Sequence, residues 1–125
     1  MKFNVELKCP PNITSEQDDN DKILLKINLE NRIDFDNSRD LFIFLKKIIN
    51  GGIKKIIFDL KKLEYIDSMG VGVFIKITKT LRQINGHMIL INVPENISKV
   101  FGLSKVQQFF NIADSEEKAL EHLQV

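Results

Sequence analysis

A strand that leads into an amphipathic helix, between Ile56 and Ile77, constrains the fold of this chain more than any other segment. The run Ile53 to Leu60 is short and mostly apolar, which is typical of a strand covered on both faces. After a short predicted loop, apolar residues recur at helical spacing from about Ser68 to Ile84, and Asn85-Gly86 then ends the pattern. A strand followed by a helix in this way is a unit of parallel α/β sheets.

Further strands and helices are predicted on both sides of this unit from the same kinds of pattern. In chain order they are a strand at Phe3 to Leu7, a strand at Lys22 to Leu29, a helix after the cap-type residues Asp34 to Asn37 that ends at Asn50-Gly51-Gly52, a strand at His87 to Val93, a short helix from Pro94 to Phe101, a strand at Gln107 to Ile112 and a terminal helix capped by Ser115. The alternation predicts a largely parallel sheet of the α/β class, and the first two strands can pair as a hairpin.

Composition narrows the functional classes. With 125 residues, 43% of them hydrophobic, the chain suits one compact domain. A net charge of +1 gives no global field that would draw it to nucleic acid, and no run approaches the roughly 18 apolar residues of a membrane span. The single cysteine, Cys9, cannot form an internal disulfide. We therefore expect a cytosolic protein that neither binds nucleic acid nor inserts into a membrane.

The segment Pro10 to Asp21 is polar, acidic and bears prolines, and it is predicted to be an exposed loop. Its carboxylates are those of Glu16, Asp18, Asp19 and Asp21. They allow a weak cation site as an alternative, although a solvated loop is the more common meaning of such a run.

The strand-to-helix junction places a serine hydroxyl, that of Ser68, at the start of a helix. The first turn of a helix has unpaired N–H groups and a partial positive charge, so a phosphate on this serine is well tolerated there. Asp67 or Ser68 can equally be a simple N-cap, and the two interpretations are compatible. Functional groups of a parallel sheet collect at the carboxyl ends of strands, which adds Asp59 to the candidates.

Enzymatic alternatives lack essential parts. A serine hydrolase requires a base for Ser68 and a nucleophile elbow, but the chain has only His87 and His122 and no Gly-x-Ser-x-Gly motif. The pattern of a phosphate-binding P-loop is also missing. A receiver domain using Asp59 requires further acidic residues and a lysine that do not stand in the expected places. We keep a small phosphotransfer enzyme using Asp59 and Ser68, and a receiver-like domain, as minor hypotheses.

The segment Tyr65-Ile66-Asp67-Ser68-Met69-Gly70-Val71-Gly72, after an apolar strand, resembles the signature of STAS domains of the bacterial anti-sigma factor antagonist type. The order of elements agrees over nearly the whole chain, which implies a single STAS domain over residues 1–125. Asn31 stands where the family often has a glycine three residues before an aspartate, here Asp34. Asparagine tolerates the left-handed backbone that such a glycine adopts, so the turn can survive this replacement.

The resemblance implies a four- or five-stranded, mostly parallel sheet with about four helices, and a protein that is not an enzyme and needs no cofactor or metal. It also implies a switch, in which an anti-sigma factor serine kinase binds the unphosphorylated protein and phosphorylates Ser68, and a metal-dependent serine phosphatase reverses the modification. A constitutive STAS-like subunit of a lipid-transport complex is the main alternative.

The surface that the resemblance assigns to partner binding has seven residues. They are Asp34, Asp67, Ser68, Met69, Gly70, Val71 and Gly72. In this set Asp67 caps the helix and orients the hydroxyl, and the two glycines allow a close approach of neighbouring backbone or of a partner. Met69 and Val71 are either apolar partner contacts or core residues, and the sequence leaves both possibilities open.

Overall fold

The computed structural model describes residues 2–8, 23–103 and 105–123. The predicted loop Pro10 to Asp21, with its acidic side chains, and Cys9 lie outside these residues. The strands are β1 Lys2–Lys8, β2 Leu24–Ile33, β3 Lys55–Ile66, β4 His87–Ile91 and β5 Asn111–Ala113, and the helices are α1 Ser38–Asn50, α2 Ser68–Gln83, α3 Glu95–Leu103 and α4 Glu116–Leu123.

The strands form one five-stranded sheet in the order β1-β2-β3-β4-β5. β1 pairs antiparallel with β2, and every other pair is parallel. The predicted hairpin and the predicted mostly parallel sheet with four helices are both confirmed. Because sequential strands are neighbours, each helix between parallel strands crosses over to the next position in the sheet.

Two strands extend well beyond their predicted ends. β2 continues to Ile33, and β3 continues to Ile66, so residues 61–66 are not the short loop that the sequence suggested. The register between the two strands shifts twice, between Asn28 and Glu30 and between Asn31 and Arg32, and each time β3 carries the extra residue. These bulges interrupt the alternation of buried and exposed residues in β3, and that alternation is the pattern by which a strand is recognised from sequence.

The two faces of the sheet carry different helices. On one face, α1, α2 and α3 cover the main core, where the rings of Phe58, Phe74, Phe101 and Phe110 meet edge to face. On the other face, α4 packs Ala119 and Leu123 against a smaller apolar cluster. Successive residues of a strand point to opposite faces, so Ile57 and Asp59 lie on the α4 side while Phe58 lies in the main core.

Helix ends agree well with the sequence signals. α1 follows the N-cap Asn37 and ends before Gly51, and α2 ends before Asn85, which adopts the left-handed backbone expected of a helix stop (φ 59°). The Ser115 hydroxyl accepts a hydrogen bond from the Lys118 N–H at 3.2 Å, which confirms the predicted cap of α4. The predicted last strand is only partly correct, since Gln107–Phe109 forms a turn of 3₁₀ helix and β5 begins at Asn111.

Candidate functional site

The start of α2 is organised by the carboxylate of Asp67. As the N-cap, it accepts a hydrogen bond from the Gly70 N–H through Oδ1 at 3.0 Å. Its other oxygen, Oδ2, accepts the N–H of Phe35 in the β2–α1 loop, also at 3.0 Å. The backbone N–H of Asp67 donates to the Ile33 carbonyl at 3.1 Å. One side chain therefore joins the helix start to a loop more than thirty residues earlier in the chain.

Gly70 lies against the end of β2. A Cβ atom at this position would be 2.8 Å from Cγ2 and 2.9 Å from the carbonyl oxygen of Ile33, and 2.7 Å from Cγ1 of Ile66. The close approach that the sequence predicted is thus an internal one, between helix and strand. At Gly72, in contrast, an added Cβ would have no neighbour within 4 Å.

The side chains after Asp67 divide between surface and core. Ser68 is exposed at the first position of α2, and Met69 is 55% exposed. Val71 is only 3% exposed and belongs to the main core. The sequence left both Met69 and Val71 as either partner contacts or core residues. The structure places Met69 at the surface and Val71 in the core, because a helix turns by about 100° per residue and Val71 faces the sheet. Val71 offers no surface to a partner in this conformation.

Asp34 shapes the loop that meets Asp67. Its Oδ1 accepts the Asp36 N–H at 3.1 Å, and its carbonyl accepts the Ser38 N–H at 2.8 Å. Asn37 closes the loop, since its Oδ1 accepts the Asp34 N–H and its Nδ2 donates to the Arg32 carbonyl, both at 2.9 Å. Asp34 thus acts on the site through the loop backbone, with no direct bond to Asp67 among the described contacts.

Asn31 adopts the left-handed backbone that was predicted for it, with φ of 66°. It lies inside β2 at the second shift of register rather than in a turn after the strand. This conformation coincides with the second bulge of β3, three residues before Asp34. The replacement of a glycine by asparagine is therefore compatible with this geometry.

Three surface residues near this site were not singled out from the sequence. Phe35 is 70% exposed although its backbone is bound to Asp67. The guanidinium of Arg32 lies 4.4 Å from the ring centroid of Tyr65, the neighbouring residue on β3. For Phe35 the sequence did contain a signal of exposure, since this phenylalanine lies between two aspartates in a segment of cap-type residues. The contact between Arg32 and Tyr65 gave no signal, because it depends on the register of two distant strands.

Asp59 does not join this site. It lies in the middle of β3, and Ile66 at the end of the strand is seven positions further on, a distance of roughly 20 Å. Its carboxylate accepts hydrogen bonds from the Lys61 N–H at 3.0 Å and the Asn92 amide at 3.2 Å, and Lys26 Nζ lies 3.8 Å away. The expectation that Asp59 and Ser68 meet at one strand end is wrong, because β3 is longer than predicted.

The described residues contain no group of three or more His, Cys, Asp or Glu side chains arranged to hold a metal ion. Likewise, no helix in the described ranges is long and apolar enough to cross a membrane. A shallow polar cavity of about 240 Å³ lies near Asp59 and is lined mainly by charged side chains of β2 and β3. The junction at Asp67 and Ser68 is an exposed, capped helix start, which suits contact with a macromolecule.

Comparison with known proteins gives a consistent result. The model of the STAS domain matches residues 12–119. BtrV of Bordetella bronchiseptica, named as a candidate anti-sigma factor antagonist, is 31% identical over 83 residues, which cover 66% of this chain and 72% of that protein.

A crystal structure described as that of a candidate anti-sigma factor antagonist from Thermotoga maritima has a TM-score of 0.79 at 21% identity, covering 96% of this chain and 94% of the other. The anti-sigma factor antagonist SpoIIAA has TM-scores of 0.66 in its unphosphorylated form and 0.65 in its phosphorylated form, both at 24% identity. Each comparison covers 98% of this chain, and 98% or 99% of SpoIIAA. The match to more than half of the residues, together with the shared fold, shows that this chain belongs to the STAS domain family.

Proposed function

We propose that this protein is an anti-sigma factor antagonist that binds an anti-sigma serine kinase in the cytoplasm and is switched off by phosphorylation of Ser68. It is a binding module and a substrate, not an enzyme. The observation that carries the proposal is the exposed Ser68 hydroxyl at the first position of a capped helix. Its relatives' names and the existence of SpoIIAA in a phosphorylated form support the assignment.

The helix start can accommodate a phosphate without unfolding. The Asp67 carboxylate accepts a hydrogen bond from the Gly70 N–H, and the Asp67 carbonyl accepts one from the Val71 N–H at 3.0 Å. Within the described part of the chain, the N–H groups of Ser68 and Met69 have no such acceptor. Two donors and the positive end of the helix dipole are therefore available to a phosphate on the Ser68 oxygen. We expect a phosphorylated protein that keeps its fold.

Partner binding responds differently to the same phosphate. The group adds about 1.5 to 2 negative charges at a point that already carries the Asp67 carboxylate. A partner surface that fits a small neutral hydroxyl must desolvate this charge or meet it with a charge of its own. The complex is therefore weakened, while the free protein changes little.

The site of modification is tested with the purified anti-sigma kinase and ATP. Wild type is expected to be phosphorylated, and Ser68→Ala is not. Ser115→Ala is the matched control, because Ser115 is also a serine at a helix start but caps α4 on the other side of the sheet. Phosphorylation of Ser68→Ala to the level of wild type would refute the assignment of the site.

The switch itself is tested by kinase binding. Ser68→Asp should bind at least about tenfold more weakly than Ser68→Ala, which corresponds to roughly 1.4 kcal/mol. Calorimetric titration of the two variants measures the difference. Equal affinities would contradict an electrostatic switch. A metal-dependent serine phosphatase is expected to restore kinase binding of the phosphorylated wild type, which the same titration detects.

The alternative is a constitutive subunit of a lipid-transport complex with the same fold. Affinity purification from the native organism separates the two proposals, because this alternative predicts recovery of a transporter ATPase in place of a soluble kinase. Mass spectrometry of the recovered protein also shows whether Ser68 carries a phosphate.

A further inference from the structure

Phe35 is 70% exposed, more than Tyr65 at 43% or Phe109 at 41%. It lies in the β2–α1 loop between two aspartates, where a side chain of this size gains nothing from the core of its own protein. Removal of apolar surface from water stabilises a complex in proportion to the area removed, so this large exposed side chain can contribute considerably to an interface. Isolated exposed apolar residues are common, so exposure alone gives a residue no role.

The first observation is that the Phe35 loop is rigidly hydrogen-bonded. The Phe35 N–H donates to Asp67, and the residues on either side are held through the Asp34 and Asn37 side chains. A further bond joins the Asn37 amide to the Arg32 carbonyl at 2.9 Å. A loop ordered in the free protein loses little conformational entropy on binding, which is the property of an effective interface residue.

The second observation is that the loop and the modification site share one carboxylate. Asp67 holds Phe35 with Oδ2 and the helix start with Oδ1, and Ser68 is the next residue. Met69, which follows Ser68, is also largely exposed. The loop that carries the aromatic ring and the helix start that carries the serine hydroxyl and the thioether are therefore held together by one carboxylate.

We propose that Phe35 is the aromatic anchor of the kinase interface, entering an apolar pocket of the anti-sigma kinase, and that Asp67 is the residue that positions it. This inference rests on the proposed function and names a contact within it. An aromatic anchor beside the serine also explains how a single modification affects binding strongly. The phosphate lies next to the carboxylate that holds the anchor, in the part of the interface that must become dry.

The anchor is tested by titrating the purified kinase with full-length variants. Phe35→Ala should weaken binding roughly 30-fold or more, as expected of a central aromatic residue. Leu103→Ala is the matched control, since Leu103 is 85% exposed at the end of α3, and its binding should stay within about threefold of wild type. Circular dichroism should show the same melting temperature for Phe35→Ala and wild type, because the removed ring is exposed.

The positioning role of Asp67 is tested with Asp67→Asn in a double-mutant cycle. The asparagine oxygen can still cap the Gly70 N–H, but its NH₂ group then faces the Phe35 N–H and cannot accept from it. Binding should weaken at least fivefold. The double variant Phe35→Ala/Asp67→Asn should bind no worse than Phe35→Ala alone, because both changes remove the same contact. A purely structural role of Asp67 would instead give additive losses.

The outcomes distinguish the two proposals. If wild type binds no anti-sigma kinase, the proposed function fails and the anchor fails with it. If wild type binds the kinase and Phe35→Ala binds within threefold of it, only the anchor is refuted. If the losses from Phe35→Ala and Asp67→Asn add, Phe35 remains the anchor and the positioning role of Asp67 is refuted.

Discussion

Asp59 and Asp67 lie in or directly after the same strand, β3, yet their surroundings give them opposite roles. Asp59 is 6% exposed and has Lys26 and the Asn92 amide beside it. Asp67 accepts two backbone N–H groups, from Gly70 and Phe35, at the surface of the protein. The first carboxylate joins the sheet to nearby side chains, whereas the second builds a surface from two separate segments.

The two carboxylates differ in the groups that they contact. Lys26 lies between Asp59 and Glu116, with Nζ 3.8 Å and 3.5 Å from their oxygens, so this group of charges joins the sheet to α4. A partly buried charge group of this kind is costly to break, because the remaining charge is left in a poorly solvated place. The partners of Asp67 are neutral N–H groups, which can bind water when the carboxylate is removed. Substitution of Asp67 should therefore cost less stability than substitution of Asp59 and should affect mainly the local geometry. Residue type alone does not separate a structural carboxylate from one that shapes a site.

The largest expected effect is that of Asp59→Ala. It leaves Lys26 without one of its two carboxylates and removes the acceptor of the Asn92 amide, so we expect a loss of about 3 kcal/mol in the free energy of unfolding. Urea denaturation measures this loss of unfolding free energy. Asp114→Ala, which removes an exposed ion pair with Lys118, should cost less than about 1 kcal/mol. A loss at Asp59 no larger than that at Asp114 would contradict its structural role.

Gly70→Ala is expected to have an intermediate effect. The new Cβ would meet the Ile33 carbonyl at 2.9 Å, a backbone atom that cannot move aside by rotation, and overpacking of this kind costs about 1–3 kcal/mol. Gly72→Ala is the matched control on the same helix. Its Cβ has open space, so the better helix propensity of alanine should raise stability by about 0.5–1 kcal/mol. Opposite signs in thermal unfolding would confirm that α2 lies tightly against Ile33 at Gly70 and has open space at Gly72; equal effects would contradict it.

Asp67→Ala should lower stability less than Asp59→Ala does, but it should weaken kinase binding more than a substitution at Asp59. Loss of the N-cap costs about 1 kcal/mol, well below the expected loss at Asp59. Because the same change releases the Phe35 loop, kinase binding should nevertheless fall more in Asp67→Ala than in Asp59→Asn. The asparagine keeps one acceptor oxygen, which can still accept from the Lys61 N–H and the Asn92 amide. Calorimetric titration together with urea denaturation of both variants compares the two carboxylates. The reverse order of binding losses would show that the contrast between them is mistaken.

Much of the fold could be predicted because its signals are local. The stops after α1 and α2, the Ser115 cap and the left-handed Asn31 depend on the residue itself and its near neighbours. The ends of β2 and β3 could not be predicted in this way. Their last residues are held by pairing with each other through two bulges, and the sequence pattern there is neither alternating nor continuously apolar.

The candidate site likewise has some features that the sequence determines and others that it does not. The sequence by itself determined that a helix begins at Asp67 and Ser68 and that one of the two caps it, since both follow from the chemistry of a helix start. Only the tertiary structure decided that Met69 faces solvent and Val71 the core, that Gly70 meets Ile33, and that Asp67 also holds Phe35. The reason is physical: a cap is satisfied within four residues, but a second hydrogen bond to a distant loop exists only after β2 and β3 have paired in register.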